Sequence, residues 1–197
     1  MFKVRNGEEL ILASASPRRK ELLRGIGLQF DVCSADIDET PRTSESPEEM
    51  VLRLAAEKAE TIAAGHPSAW ILAADTTVVL DGEILGKPLD KSDAIRMLRL
   101  LQGRRHQVLG GVTLLNLAKR VSRSELMVSM VKIMPLNTTL IENYVDSGEP
   151  MDKAGSYAIQ GIGAGLVEEV TGSYTNVVGL NLAAVIGWLS EYNILER

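Results

Sequence analysis

An α/β fold with a mixed sheet flanked by helices is predicted from three features of the 197-residue chain. Short apolar runs with strand character alternate with segments that carry helix start signals. Turn residues join several runs of the second half into hairpins, which adds antiparallel pairs to the sheet. Apolar residues reach 45% while aromatics are only 4%, so a chain of this size can bury a full core, and that core must be aliphatic. No repeat, low-complexity tract or domain-scale linker interrupts residues 1–197, which are read as one domain.

The elements follow in order. Leu10 to Ala13 is a short buried strand. Ser16 and Pro17 then open a helix, serine as N-cap and proline at the first helical position, which stops near Gly25 and Gly27. Gln29 to Ser34 has strand character, and Asp36 to Ser46 is a polar loop. Ser46-Pro47-Glu48-Glu49 is a capping box, and the helix it starts runs to about Ala64. Trp70 to Leu80 is a β-branched apolar strand that turns at Asp81-Gly82 into Glu83 to Leu85. Asp90 caps a helix ending at Gly103. His106 to Leu117 and Val121 to Met134 form a long antiparallel pair. Asn137 caps a helix ending at Gly148. A glycine-rich stretch with a strand near Leu166 to Val170 precedes a final helix from Leu180 to Tyr192.

Composition narrows the function class. The net charge of −5 disfavours general binding to nucleic-acid polymers, whose phosphates reward positive surfaces, but leaves room for a local basic cluster. No stretch approaches the ~20 apolar residues of a membrane helix. The first ten residues lack an apolar signal region. Cys33, the only cysteine, cannot form a disulfide within the chain and is expected as a small buried hydrophobe. These features predict a cytoplasmic enzyme or binding protein, away from membranes.

Three local signals carry chemistry. Arg18, Arg19 and Lys20 sit in the first turn of a helix, where the dipole disfavours cations by ~0.3–1 kcal/mol each. Such an arrangement suits a docked anion; otherwise it is a solvated basic surface. Asp75 interrupts the apolar run Ile71 to Val79, so either a cation faces it or it marks a strand end open to water. Lys58 falls in the middle of the apolar stripe Met50, Val51, Leu54 and Ile62, where it either snorkels or reaches a buried anion. Arg53 falls on the solvent side of that helix. Lys58→Met would complete the stripe and is expected to hold or raise stability.

Other patterns weigh less. Leu85-Gly86-Lys87-Pro88 is not a Walker A loop, because proline follows the lysine. Asp152 to Gly161 has the composition of a ligand loop or of a plain surface turn. His66 and His106, far apart and with one cysteine, do not suggest zinc. Cations with a carboxylate are what phosphoanhydride hydrolysis requires.

These residues closely resemble the Maf family. The matching segments are Ser14-x-Ser16-Pro17-Arg18-Arg19, Arg53-Leu54-Ala55-x-x-Lys58-Ala59, Ala74-Asp75-Thr76, Gly86-Lys87-Pro88, Gly103-x-x-His106-x-Val108, Asp152-Lys153-Ala154-Gly155-x-Tyr157-x-Ile159-Gln160-Gly161 and Gly172-Ser173-Tyr174-x-Asn176-Val177-Val178-Gly179-Leu180. They are co-linear over nearly the whole chain. The resemblance implies a fold related to the inosine triphosphatase group, with two lobes around a central cleft. It implies hydrolysis of a nucleoside triphosphate to the monophosphate and pyrophosphate with Mg²⁺ or Mn²⁺, and it allows a homodimer. By position, Ser14, Arg18, Arg19, Lys58 and Lys87 would hold phosphates. Asp75 would accept a proton or bind metal, and Glu39 would help bind the metal. Asn181 departs from the family's usual proline and puts only a local turn in doubt.

The same resemblance bears on substrate. The Maf group acting on 7-methyl-GTP tends to carry Ser-Pro-Trp-Arg, Asp-Gln and Ser-Glu-Gly. Arg18, Thr76 and Gln160 match instead the group acting on dTTP and UTP. Gln160 offers both a donor and an acceptor, which suits the mixed edge of uracil or thymine. The resemblance also leaves a rival: a nucleotide-binding regulator of septum formation working through a protein partner. A phosphatase of the haloacid dehalogenase type is disfavoured, since Asp75-Thr76-Thr77 is not its Asp-x-Asp motif.

Overall fold

The structure, a computed structural model, is described for residues 2–196. Its strands are β1 (Leu10–Leu12), β2 (Asp31–Val32), β3 (Trp70–Leu80), β4 (Glu83–Leu85), β5 (Arg105–Asn116), β6 (Val121–Ile133) and β7 (Val167–Thr171). Its helices are α1 (Pro17–Gly25), α2 (Pro47–Ala63), α3 (Lys91–Leu101), α4 (Thr138–Asp146), α5 (Tyr174–Val178) and α6 (Leu182–Glu191). The sheet order is β2-β1-β3-β5-β6-β7, with β4 on β3. β1 pairs in parallel with β2 and β3, whereas β3–β4 and β6–β7 are antiparallel, so the sheet is mixed as expected.

The chain divides into two compact units. Among the described residues, the first comprises 2–75, 110–127 and 179–196; the second comprises 76–109 and 128–178. Three strands, β3, β5 and β6, run in sequence from one unit into the other.

In the first unit, strand periodicity sorts side chains onto two faces. Leu10, Leu12, Trp70, Leu72 and Ala74 join one core with Leu23 of α1 and Val185, Trp188 and Leu189 of α6. Ile11, Ala13, Ile71 and Ala73 join the other with Ala59, Ile62 and Ala63 of α2. Both faces are covered, which is why β1 and the first half of β3 read as unbroken apolar runs. α2 lies close on its face: a Cβ added at Gly111 of β5 would collide with the Val51 carbonyl. Only glycine permits that approach. Cys33 packs beside this second core, partly rather than wholly buried. Asn181 caps α6 by accepting the Ala184 N–H at 3.2 Å, so the turn forms without the family's proline.

The second unit packs α3, α4 and β7 around Val78, Leu80, Val108, Val131 and Ile133. Three 3₁₀ segments, Glu149–Asp152, Ala154–Ser156 and Gly161–Leu166, follow α4, the last of them within the glycine-rich stretch from Gly155 to Gly172. The sheet's outer strands are short or charged. β2 has only two residues. β7 exposes Glu168 and Glu169, paired with Lys132 at 2.7 Å and Arg105 at 2.5 Å. No described helix is long and apolar enough to cross a membrane.

His106 is buried in the second unit, its Nε2 2.7 Å from the Tyr157 hydroxyl and its ring edge-on to the tyrosine. Burial holds its pKa down at about 4, against an ordinary 6.5. The unfolded chain therefore takes up this proton near pH 6.5 and the folded chain only near 4. Stability from this group is full above pH 6.5 and falls as pH drops toward 4, by at most about 3 kcal/mol. Denaturant midpoints measured from pH 7 to 4.5 should fall less steeply in His106→Gln than in the wild-type chain.

Candidate active site

In the first unit, the turn after β1 puts a basic cluster next to a hydroxyl. Ser14 is buried, and its Oγ accepts the Ser16 N–H at 3.2 Å and an Arg19 Nη1 hydrogen at 3.1 Å. Arg19 also donates Nε–H to the Gly179 carbonyl at 2.8 Å. Its guanidinium is thus aimed by two fixed acceptors. Burial lowers its pKa, with Arg18 acting in the same direction and Asp75 and Glu39 against it. Guanidinium remains charged regardless. α1 has no acidic residue in its first turn, so no carboxylate of the helix itself offsets the cations at its N-terminal end.

Asp75 resolves one of the open alternatives. It is a mid-strand residue, its side chain only 13% exposed, and Lys58 donates to its Oδ1 at 2.7 Å. The same Nζ lies 2.6 Å from Glu39 Oε1. Lys58 therefore reaches a buried anion and does not snorkel. Two carboxylates from separate segments, β3 and the 36–46 loop, converge on one ammonium. Arg19, Lys58, Asp75 and Glu39 thus form one cluster of interleaved charge.

Arg53 differs from its sequence assignment. Its side chain is 12% exposed, because the 36–46 loop folds over it. Nε and Nη2 grip Glu45 at 2.5 and 2.7 Å, Nη1 reaches Glu57 at 3.1 Å, and Nη2 also reaches the Thr40 carbonyl at 3.3 Å. Glu45 is correspondingly acidic, its pKa drawn down to about 2 by the Arg53 hydrogen bonds. The loop bearing Glu39 is thus tied to α2 by a guanidinium fork. Arg53 and Glu45 are the residues missed from sequence. The signal available was Arg53 in the same motif as Lys58.

The remaining candidates belong to the second unit. Thr76 is half-buried in β3. Lys87 is exposed after β4, and the Gly86 carbonyl beside it accepts the Gly155 N–H at 3.0 Å. Gly155 has φ +69° and packs at its Cα against Val78, a fit that a side chain would strain. Gln160 is exposed. Among the described residues, no three His, Cys, Asp or Glu side chains form a metal cage.

A family model described as "Maf-like protein" matches residues 9–192. A dTTP/UTP pyrophosphatase of Myxococcus xanthus is 51% identical over 182 residues, covering 92% of this chain and 91% of that protein. One of Geobacter sulfurreducens is 49% identical over 177 residues, covering 90% and 93%. One of Symbiobacterium thermophilum is 47% identical over 185 residues, covering 94% of each. The Staphylococcus aureus Ham1 protein shares the fold, with a TM-score of 0.57 at 15% identity over 94% of this chain and 100% of that one.

The ion-pair geometry reverses the expectation for Lys58→Met. Without Lys58, the Asp75 carboxylate loses its ion-pair partner in a strand where its side chain is only 13% exposed, and breaking a buried pair from one side destabilises. We expect a loss of about 3 kcal/mol by chemical denaturation, most of it regained in Lys58→Met/Asp75→Asn. Unchanged stability in the single variant would show that Asp75 does not depend on this lysine.

Proposed function

The chain belongs to the Maf family, and from that premise we propose that it hydrolyses dTTP and UTP to the monophosphate and pyrophosphate. The observation that carries the reading is the convergence of Asp75 and Glu39 on Lys58, with Arg19 held alongside. A triphosphate brings charge that Arg18, Arg19 and Lys58 neutralise, with the Ser14 hydroxyl free to hydrogen-bond a phosphate oxygen. Water adds across the α–β anhydride, the bond to the pyrophosphate oxygen breaks, and Asp75 accepts the water's proton. In the second unit Lys87 is assigned to phosphate, and Thr76 and Gln160 to recognition of the pyrimidine. The 1–197 chain is taken to work as a single domain, since the family match runs through both units.

The donor set fits a divalent cation of the Mg²⁺ or Mn²⁺ kind. Two hard carboxylates, Asp75 and Glu39, are too few for a closed cage but suit an ion whose other positions go to phosphates and water. Such an ion supplies charge neutralisation on the phosphates. A cytoplasmic setting agrees with the substrate and with a lone, unpaired Cys33.

The test is pyrophosphate release from a nucleotide panel at one Mg²⁺ or Mn²⁺ concentration. dTTP and UTP should exceed 7-methyl-GTP, ATP and GTP in kcat/KM, and a preference for 7-methyl-GTP would overturn the substrate assignment. Asp75→Asn should lower kcat on the order of 10²-fold or more, the scale of one general base, while circular dichroism shows the fold intact. Near wild-type turnover in that variant would remove Asp75 from the proton-accepting role.

A further inference from the structure

Gln160 sits on a short segment that is pinned on both sides by one small polar network of the second unit. On one side, the Ala158 N–H donates to the Tyr144 hydroxyl oxygen at 3.0 Å. On the other, the Ile162 and Gly163 N–H groups donate to Glu149 Oε1 at 2.9 Å and Oε2 at 2.8 Å. The Tyr144 hydroxyl in turn donates to the Glu149 carboxylate, closing the network. Only Ile159, Gln160 and Gly161 lie between the pinned amides.

Two glycines are required for this arrangement. Gly161 has φ +67°, and a Cβ there would fall on Glu149 Oε1. A Cβ at Gly163 would meet the Ala158 carbonyl and the Tyr144 hydroxyl. Glu149 is itself held: its N–H donates to Ser147 Oγ at 3.2 Å, and Lys153 donates to its carbonyl at 2.7 Å. Burial pushes its carboxyl pKa up, but the Gly163 amide, Tyr144, the Ile162 amide and Lys153 outweigh burial and leave it below the ordinary value. The carboxylate is therefore ionised when it holds the two amides. Tyr157 and Ala158 before the segment and Gly163 after it are buried, whereas Gln160 is exposed.

We propose that Glu149 is a specificity-determining positioning residue, which fixes the 159–161 segment so that the Gln160 amide meets the donor and acceptor edge of a pyrimidine. The inference rests on the reading above that Gln160 contacts the base. An amide can match that edge in one orientation only, so its backbone must be set before binding. With the segment loose, the substrate would have to order it, and base recognition would weaken. Recognition of the base is the same before and during bond cleavage, so its loss raises KM more than it lowers kcat.

The experiment compares the wild-type chain with Glu149→Gln, Tyr144→Phe, Gln160→Ala and Glu149→Gln/Gln160→Ala. Readouts are kcat and KM for UTP and for ATP, with hydrogen exchange at the Ile162 and Gly163 amides. Glu149→Gln should raise KM for UTP about tenfold, leave kcat within about threefold, narrow the UTP-to-ATP preference and speed exchange at both amides. The double variant should discriminate no worse than Gln160→Ala alone, because both changes remove the same contact. Tyr144→Phe, which keeps the carboxylate, should shift KM the same way by a smaller factor and covers the case in which Glu149→Gln does not fold. If Gln160→Ala changes the preference while Glu149→Gln and Tyr144→Phe leave it intact or lower activity on both nucleotides alike, the positioning role is overturned and the base contact stands. If Gln160→Ala changes nothing, the base contact fails and the positioning role fails with it.

Discussion

An ionised carboxylate in the middle of a sheet strand has to be answered by a cation, and the first unit is arranged around that requirement. Asp75 is answered by Lys58, which extends from a helix otherwise apolar on that face. For the ammonium to arrive, α2 must lie close to the sheet. The interface accordingly sets five alanines, Ala13, Ala59, Ala63, Ala69 and Ala73, among Ile11, Ile62, Ile71 and Leu115, with Gly111 under the Val51 carbonyl. Bulky side chains there would lift the helix and separate the pair. Core packing and site chemistry are thus set by the same residues. The alternation of β1 and β3 turns Leu10, Leu12, Trp70 and Leu72 to the opposite face.

Segments that carry exposed site residues are held by polar anchors where apolar packing is thin. The 36–46 loop has almost no buried side chain, and the Arg53 fork on Glu45 takes the place of a core. Bidentate geometry matters here, because a lysine could not grip both carboxylate oxygens and a backbone carbonyl together. Such a tether is largely enclosed, with side chains 12% and 9% exposed, and so is screened by salt less than a surface pair would be.

Much of this was legible in the sequence, for identifiable reasons. Ser16, Ser46, Asp90 and Asn137 each cap the helix their chemistry announces, since a cap needs only local bonds. β3 was readable to its ends because an apolar β-branched run is bounded by turn residues. β2 shrank from six expected residues at 29–34 to two, because a strand's extent depends on a partner the sequence does not name. The 3₁₀ segments between 149 and 166, and α5, were missed since short turns rest on tertiary hydrogen bonds. In the site, Asp75 and Lys58 were visible as violations of their apolar surroundings. Arg53 was not: a helical wheel registers its direction and cannot register a loop that returns to cover it. The pairing of Glu39 with Lys58, far apart in sequence, likewise came only with the fold.

The outer strands bear on how the protein behaves in a crowded solution. An open sheet presents unpaired backbone groups that can template another chain. Here the β2 end offers a two-residue strand, too short to nucleate an extended ladder. The β7 end presents Glu168 and Glu169, so a second copy docking there edge to edge would bring carboxylates against carboxylates. Fibre-like growth by strand addition is discouraged at both margins, and the protein can carry a long, strongly apolar β3 because that strand lies in the sheet's interior.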